Sequence, residues 1–214
     1  MKNRSVFTAG LVTAVFIFLF LPLPGWSQDL EAIVSTQWLE NNLSRPDMVI
    51  LDVRKVEDYR NGHIVGAVNL FYRAWAFKKK HLYAEIPDQD DLSEMIGSAG
   101  ISPGSRVVVV GSTGTPQEKV HGARVACTLK FAGVKNVAIL DGGFEKWTYE
   151  SRKISKIIPQ TIPTIFKGHF RQDLFADKAY IVSRWGKMIL LDVREKEYYL
   201  GEKKLDCVEK AGRM

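Results

Sequence analysis

Three uninterrupted aliphatic runs of strand length constrain this chain more than anything else in it. Met48-Val49-Ile50-Leu51, Val107-Val108-Val109-Val110 and Val137-Ala138-Ile139-Leu140 contain no polar residue. A strand with one wet face alternates apolar with polar, so unbroken runs predict strands covered on both faces of a parallel sheet. The segments between them supply the helices that such a sheet needs. Ser35 or Thr36 caps a short helix carrying Trp38, Leu39 and Leu43, and Pro46-Asp47 ends it. Val56–Arg60 reads as one or two turns stopped by Asn61-Gly62, and Val65–Leu70 as a further short strand. Phe71 to Pro87 is irregular, basic and aromatic. Leu92, Met95, Ile96 and Ala99 recur at helical spacing before Gly100. Lys119–Phe131 is expected to be a helix burying Val120, Ala123, Cys127 and Phe131, closed by Gly133. Asp141-Gly142-Gly143 turns into a last helix bearing Phe144 and Trp147. Strands alternating with helices over residues 33–150 predict an α/β domain, a central parallel sheet flanked by helices.

Residues 151–172 change character, with prolines, β-branched and basic residues that suggest an extended linker laid along a surface. Then a pattern returns. Leu51-Asp52-Val53-Arg54 with Glu57 and Tyr59 matches Leu191-Asp192-Val193-Arg194 with Glu197 and Tyr199, at a constant offset of 140. This is repetition on the scale of a domain, not of a solenoid. Residues 173–214 therefore read as the truncated start of a second copy. A segment of roughly forty residues buries too little surface to hold a sheet of its own, so it is expected to be disordered, or docked on the first domain or on a partner that completes the second.

The chain opens with Lys2 and Arg4 before an apolar run from Val6 to Leu23, then Gly25 and Ser27 at the −3 and −1 positions of a cleavage site. Residues 1–27 read as a signal peptide, the alternative being an uncleaved membrane anchor. Either way the remainder is expected outside the cytoplasm, secreted or periplasmic, with no stable membrane association after cleavage. Loss of the segment lowers the net charge from +6 by the two charges of Lys2 and Arg4. So mild and evenly spread an excess does not argue for nucleic acid. The basic run Lys78-Lys79-Lys80-His81 reads as a solvated loop. The four scattered histidines and two cysteines offer no metal-ligand spacing, and neither Gly-rich stretch has a nucleotide-binding pattern. No metal or cofactor is expected.

Asp52-Val-Arg54, Gly62-His63-Ile64-x-Gly66-Ala67, the strand and helix of Val107–Gly133, and Asn136-Val137-x-x-Leu140-Asp141-Gly142-Gly143-Phe144-x-x-Trp147 together resemble the rhodanese family. The resemblance is to tandem-domain thiosulfate sulfurtransferases and covers residues 33–150 fully. It implies a rhodanese-like domain plus an incomplete second copy. It also implies a chemistry, in which a loop cysteine takes the outer sulfur of thiosulfate as a persulfide and passes it to cyanide or another thiophile. Loop amides and a helix N-terminus would lower the pKa of that thiol and bind the anionic donor. The cysteine position falls at about Gly111-Ser112-Thr113, where this chain has none. Residues 33–150 thus resemble the non-catalytic copy, with no catalytic residue of their own. The loop Gly111, Ser112, Thr113 and Gly114 remains a candidate site for thiosulfate or another small sulfur anion. A non-catalytic module that binds an anion or a protein is the alternative.

The two cysteines have plainer readings. Cys127 is expected to be a buried helical thiol. Cys207 could be an exposed thiol or a disulfide partner, and spacing cannot decide whether the two pair. Asp52/Arg54 and Asp192/Arg194 follow strand ends, where an ion pair or a cap is the expected role. Gly142-Gly143 is expected to serve a turn that needs positive φ.

Overall fold

The computed structural model describes residues 29–79 and 82–204. The proposed signal segment, His81 and Cys207 lie outside the described residues.

From the N-terminal side come β1 (Ile33–Val34), α1 (Thr36–Asn42), β2 (Met48–Asp52), α2 (Val56–Asn61), β3 (His63–Ile64) and β4 (Val68–Asn69). An arm follows, made of a single 3-10 turn at Tyr72–Ala74 and the hairpin β5 (Phe77–Lys79) and β6 (Leu82–Glu85). The chain then returns through α3 (Gln89–Ser98), β7 (Arg106–Val110), α4 (Pro116–Phe131), β8 (Asn136–Leu140), α5 (Gly143–Tyr149) and β9 (Ile154–Ser155). Five strands form one parallel sheet in the order β1-β8-β7-β2-β4. The three aliphatic runs are its centre. β2 pairs with β7 from Met48 opposite Arg106 to Asp52 opposite Val110, and β7 pairs with β8 from Arg106 opposite Asn136.

Successive side chains of these strands enter two separate cores, which is why their sequences do not alternate. Leu51, Val107, Val109 and Val137 face a core built with Leu92 and Ile96 of α3, Val125 and Leu129 of α4, and Trp75. Ile50, Val108, Val110, Ala138 and Leu140 face the other, with Leu39, Tyr59, Ile64 and Trp147. Ser35 caps α1 by accepting a hydrogen bond from the Trp38 amide. Thr115 and Glu118 form a reciprocal capping box at the start of α4, with Pro116 in its first turn.

The orientation of α4 corrects the sequence expectation. Its buried stripe is Gly122, Val125, Ala126 and Leu129, while Val120 is 59% exposed and Cys127 is an exposed free thiol. Gly122 has no side chain to hold the helix away, and a Cβ there would already touch Ile139 of β8 and Val109 of β7. The small residue is therefore the one turned inward, and the apolar Val120 and Cys127 are turned out.

Beyond α5 the chain runs back over the domain as a strap. β9 pairs antiparallel with β3, and His63, fully buried, faces the carbonyls of Tyr59 and Ile157 with its two ring nitrogens at 2.8 and 3.1 Å. Thr164 donates its amide to the Gly97 carbonyl and its hydroxyl to that of Ile101. Phe166 enters the first core, and the Arg171 amide reaches the Phe131 carbonyl at the end of α4. Past it, α6 (Lys178–Ser183) and α7 (Lys196–Leu200) bury no residue. Residues 188–192, the counterpart of β2 at the offset of 140, form no strand among the described residues. Leu191 and Val193 are 83% and 93% exposed.

Candidate functional site

The loops that leave the C-terminal ends of β2, β7 and β8 converge, the place where open parallel sheets present their ligands. The first is built on Asp52 and Arg54. Asp52 is wholly buried and accepts from the Arg54 amide, Nε and Nη2, the shortest contact being 2.7 Å. Arg54 also donates to the Gly62 carbonyl, and its guanidinium lies 3.5 Å above the Phe144 ring. Burial pushes the Asp52 carboxyl above its ordinary range, and the hydrogen bonds and charge of Arg54 oppose that push. The pair therefore fixes the end of β2 and links it to α5. The repeated pair Asp192/Arg194 has the same geometry in an exposed setting, and Arg194 holds the Asp192 carboxyl down at about 2.

The second loop, Gly111–Thr115, joins β7 to α4. Its donors meet carboxylates of this same chain. The Thr113 amide donates to Glu145 Oε2 at 3.0 Å, and the Ser112 hydroxyl donates to Glu145 Oε1. The Thr115 amide donates to Glu118 Oε2 at 3.0 Å. Gly111 accepts from the Phe144 amide. Glu145 reaches the loop because α5 begins close against it. Gly142 and Gly143 have φ of 70° and 60°, as the turn required, and a Cβ on Gly143 would stand 2.5 Å from the Gly111 carbonyl oxygen. The four candidate residues Gly111, Ser112, Thr113 and Gly114 thus lie together, with an internal carboxylate beside Ser112 and Thr113. Glu145 could not be singled out from sequence, since its place depends on how closely α5 docks.

Between this loop and the arm lies a cleft of about 670 Å³, lined by Ser112, by Arg54 and Lys55 after β2, by Phe71, Tyr72 and Arg73, and by Phe77 of the arm. His121 of α4 closes one wall, its ring stacked on Tyr72 with centroids 3.6 Å apart. Burial draws the His121 imidazole below its ordinary value of 6.5 against the pull of Glu118, and Arg73 adds to the lowering. Sequence reasoning singled out none of Tyr72, Arg73 and His121 as site residues. The basic and aromatic character of the arm signalled Tyr72 and Arg73, and nothing in the sequence pointed to His121 on α4.

Residues 35–150 match the family model of the rhodanese-like domain. The chain belongs to the rhodanese family. A Synechococcus elongatus protein provisionally named a thiosulfate sulfurtransferase is 28% identical over 203 residues, covering 91% of this chain and 62% of that protein. The thiosulfate sulfurtransferase of Bos taurus is 24% identical, covering 80% of this chain and 62% of the relative. This chain therefore spans about three fifths of the length of the relatives it matches. Among solved structures, SseA of Escherichia coli, a 3-mercaptopyruvate sulfotransferase, superimposes with a TM-score of 0.61 at 20% identity, covering 73% of this chain and 63% of SseA. That likeness establishes the rhodanese fold, with its central parallel sheet between helices. Within the family, a relationship to sulfurtransferases acting on small sulfur compounds is supported by these names.

Proposed function

We propose that this protein is a thiosulfate sulfurtransferase-type rhodanese in which residues 33–150 are the non-catalytic copy. In the family reaction a cysteine thiolate attacks the outer sulfur of thiosulfate, the sulfur–sulfur bond breaks, and sulfite leaves with the electron pair. The acceptor, cyanide or another thiophile, then takes that sulfur from the persulfide and frees the thiolate. The observation that carries the reading is the loop between β7 and α4. By the resemblance the nucleophile's position falls at about Gly111-Ser112-Thr113, where there is no cysteine, and the Ser112 hydroxyl and Thr113 amide there donate to the Glu145 carboxylate. Serine cannot form a persulfide, so this domain contributes scaffold rather than nucleophile.

A second reading is a module that binds a small sulfur anion or a protein partner; the exposed apolar side chains of Ile189, Leu191 and Val193 favour the protein partner. Export to the periplasm or the exterior is part of the proposal and rests on residues 1–27. Among the described residues no helix is long and apolar enough to cross a membrane.

The test is thiocyanate formation from thiosulfate and cyanide by this chain. None is expected. Thiocyanate formation that disappears in Cys127→Ser or Cys207→Ser would overturn the assignment of a non-catalytic copy.

A further inference from the structure

The strap combines unmatched positive charge with apolar side chains held in solvent. Residues 151–172 contain five Lys and Arg and no Asp or Glu. Arg152 is matched by Glu40 and Glu150, and Arg171 by Asp173. Lys153, Lys156 and Lys167 are exposed and form no ion pair among the described residues. Between them Ile157, Ile158, Ile162 and Ile165 are 60–85% exposed. The packing of the strap enforces part of this. Thr164 bonds to Ile101 and Phe166 enters the first core, so in an extended chain Ile165 and Lys167 are left pointing out. Pro159 and Pro163 keep the segment from coiling into a helix that could bury one face.

The placement of the strap narrows what covers it. Ile157 meets His63 ahead of β4, Thr164 meets Gly97 and Ile101 ahead of β7, and Arg171 meets Phe131 ahead of β8. The strap therefore follows the edge of the sheet opposite the loops of the candidate site. Leu30 reaches that same edge, its amide bonded to the Asn136 side chain at the start of β8. In the sequence the apolar run Val6–Leu23 ends seven positions before Leu30, a reach of at most about 25 Å in extended chain. A bilayer that takes up that run lies within reach of the strap. An acidic protein has no such tie to this edge.

We infer that the strap is a docking surface for an anionic lipid bilayer, its exposed isoleucines entering the headgroup region and Lys153, Lys156 and Lys167 meeting lipid phosphates. Apolar side chains interspersed with cations are what such an interface rewards. The contact is peripheral and reversible, it leaves the candidate site turned away from the lipid, and it does not rest on sulfur transfer.

Limited trypsin digestion of the full chain on vesicles tests it, with cleavage after Lys156 and Lys167 followed by mass spectrometry. One set of vesicles is phosphatidylcholine and the other contains about 30% phosphatidylglycerol; any insertion of the apolar run is common to both. Each lysine near an anionic surface contributes about fivefold to partitioning. Cleavage at the two strap bonds should therefore slow by about tenfold or more on the anionic vesicles alone. Cleavage after the exposed Lys55, at the other end of the sheet, should not change. Ile162→Ser/Ile165→Ser keeps every lysine and should raise the lipid needed for protection by about tenfold. Both positions are exposed, and the urea midpoint verifies that the variant is folded. Unslowed cleavage of the strap overturns the inference, and so does equal slowing on the two lipids. Equal protection by polyglutamate at matched charge would assign the strap to an acidic protein instead. An unaltered lipid requirement in the double variant would remove the apolar contact and overturn insertion. None of these outcomes bears on thiocyanate formation, so the assignment of the non-catalytic copy is tested separately.

Discussion

Replacing Arg54 by leucine isolates the energetics of the buried pair at the end of β2. Asp52 is 0% exposed and the Arg54 side chain only 6%, so Arg54→Leu strands a carboxylate in the interior. The substitution also removes the bond to the Gly62 carbonyl and the contact with the Phe144 ring. Breaking one side of a buried pair costs about 3–5 kcal/mol, whereas replacing both sides with apolar groups is often neutral or better. With a urea slope of about 2 kcal/mol per molar, typical of a small domain, the midpoint should fall by roughly 1.5–2.5 M. The double variant Asp52→Leu/Arg54→Leu should recover most of that loss. The chain contains its own control, because Asp192/Arg194 repeats the pair in an exposed segment. Arg194→Leu should leave the midpoint unmoved. Equal shifts for Arg54→Leu and Arg194→Leu, or a double variant as unstable as the single, would refute the assignment of the cost to burial of the charge.

Two further outcomes follow from groups next to the cleft and the strap. His121 takes up its proton near 6.5 when unfolded and only at lower pH when folded, so the unfolded state binds more protons between those values. Stability should fall as pH drops through 6.5 toward the folded value, and be insensitive to this group above it. His121→Phe keeps a ring on Tyr72 and should abolish that share, so urea midpoints of the two proteins should diverge with pH; parallel curves would contradict the burial of His121. Gly97→Ala would set a Cβ 2.3 Å from the Thr164 carbonyl oxygen. The usual gain of about 0.5–1 kcal/mol for alanine in a helix should become a loss, with faster tryptic cleavage at Lys156 and Lys167 of the strap. Gly104→Ala, which meets nothing within 4 Å, should change neither.

The central sheet was legible because burial on both faces removes polar residues from a strand, and Val107–Val110 has none to hide. The pairing of Asp52 with Arg54 was legible from its position after such a strand. Face selection in α4 was not, because Val120 and Cys127 look as apolar as Val125 and Leu129, and the deciding residue, Gly122, acts through the absence of a side chain. β1, β3 and β9, at two residues each, are too short to show a period and exist only through their partners. The composition of the cleft escaped for a related reason. Tyr72 and His121 stand 49 positions apart in the sequence and meet only when the arm folds onto α4.

The carboxylate of Glu145 has a consequence for any thiol placed in this loop. A rhodanese loop that works by persulfide chemistry needs a field that favours a thiolate. Here that field is already discharged by a residue from another helix. Placing a cysteine at position 112 would set its thiol against the Glu145 carboxylate, which stabilises the unreactive protonated form. A stable thiolate at this position would therefore take two changes, one in the loop and one at Glu145 of α5.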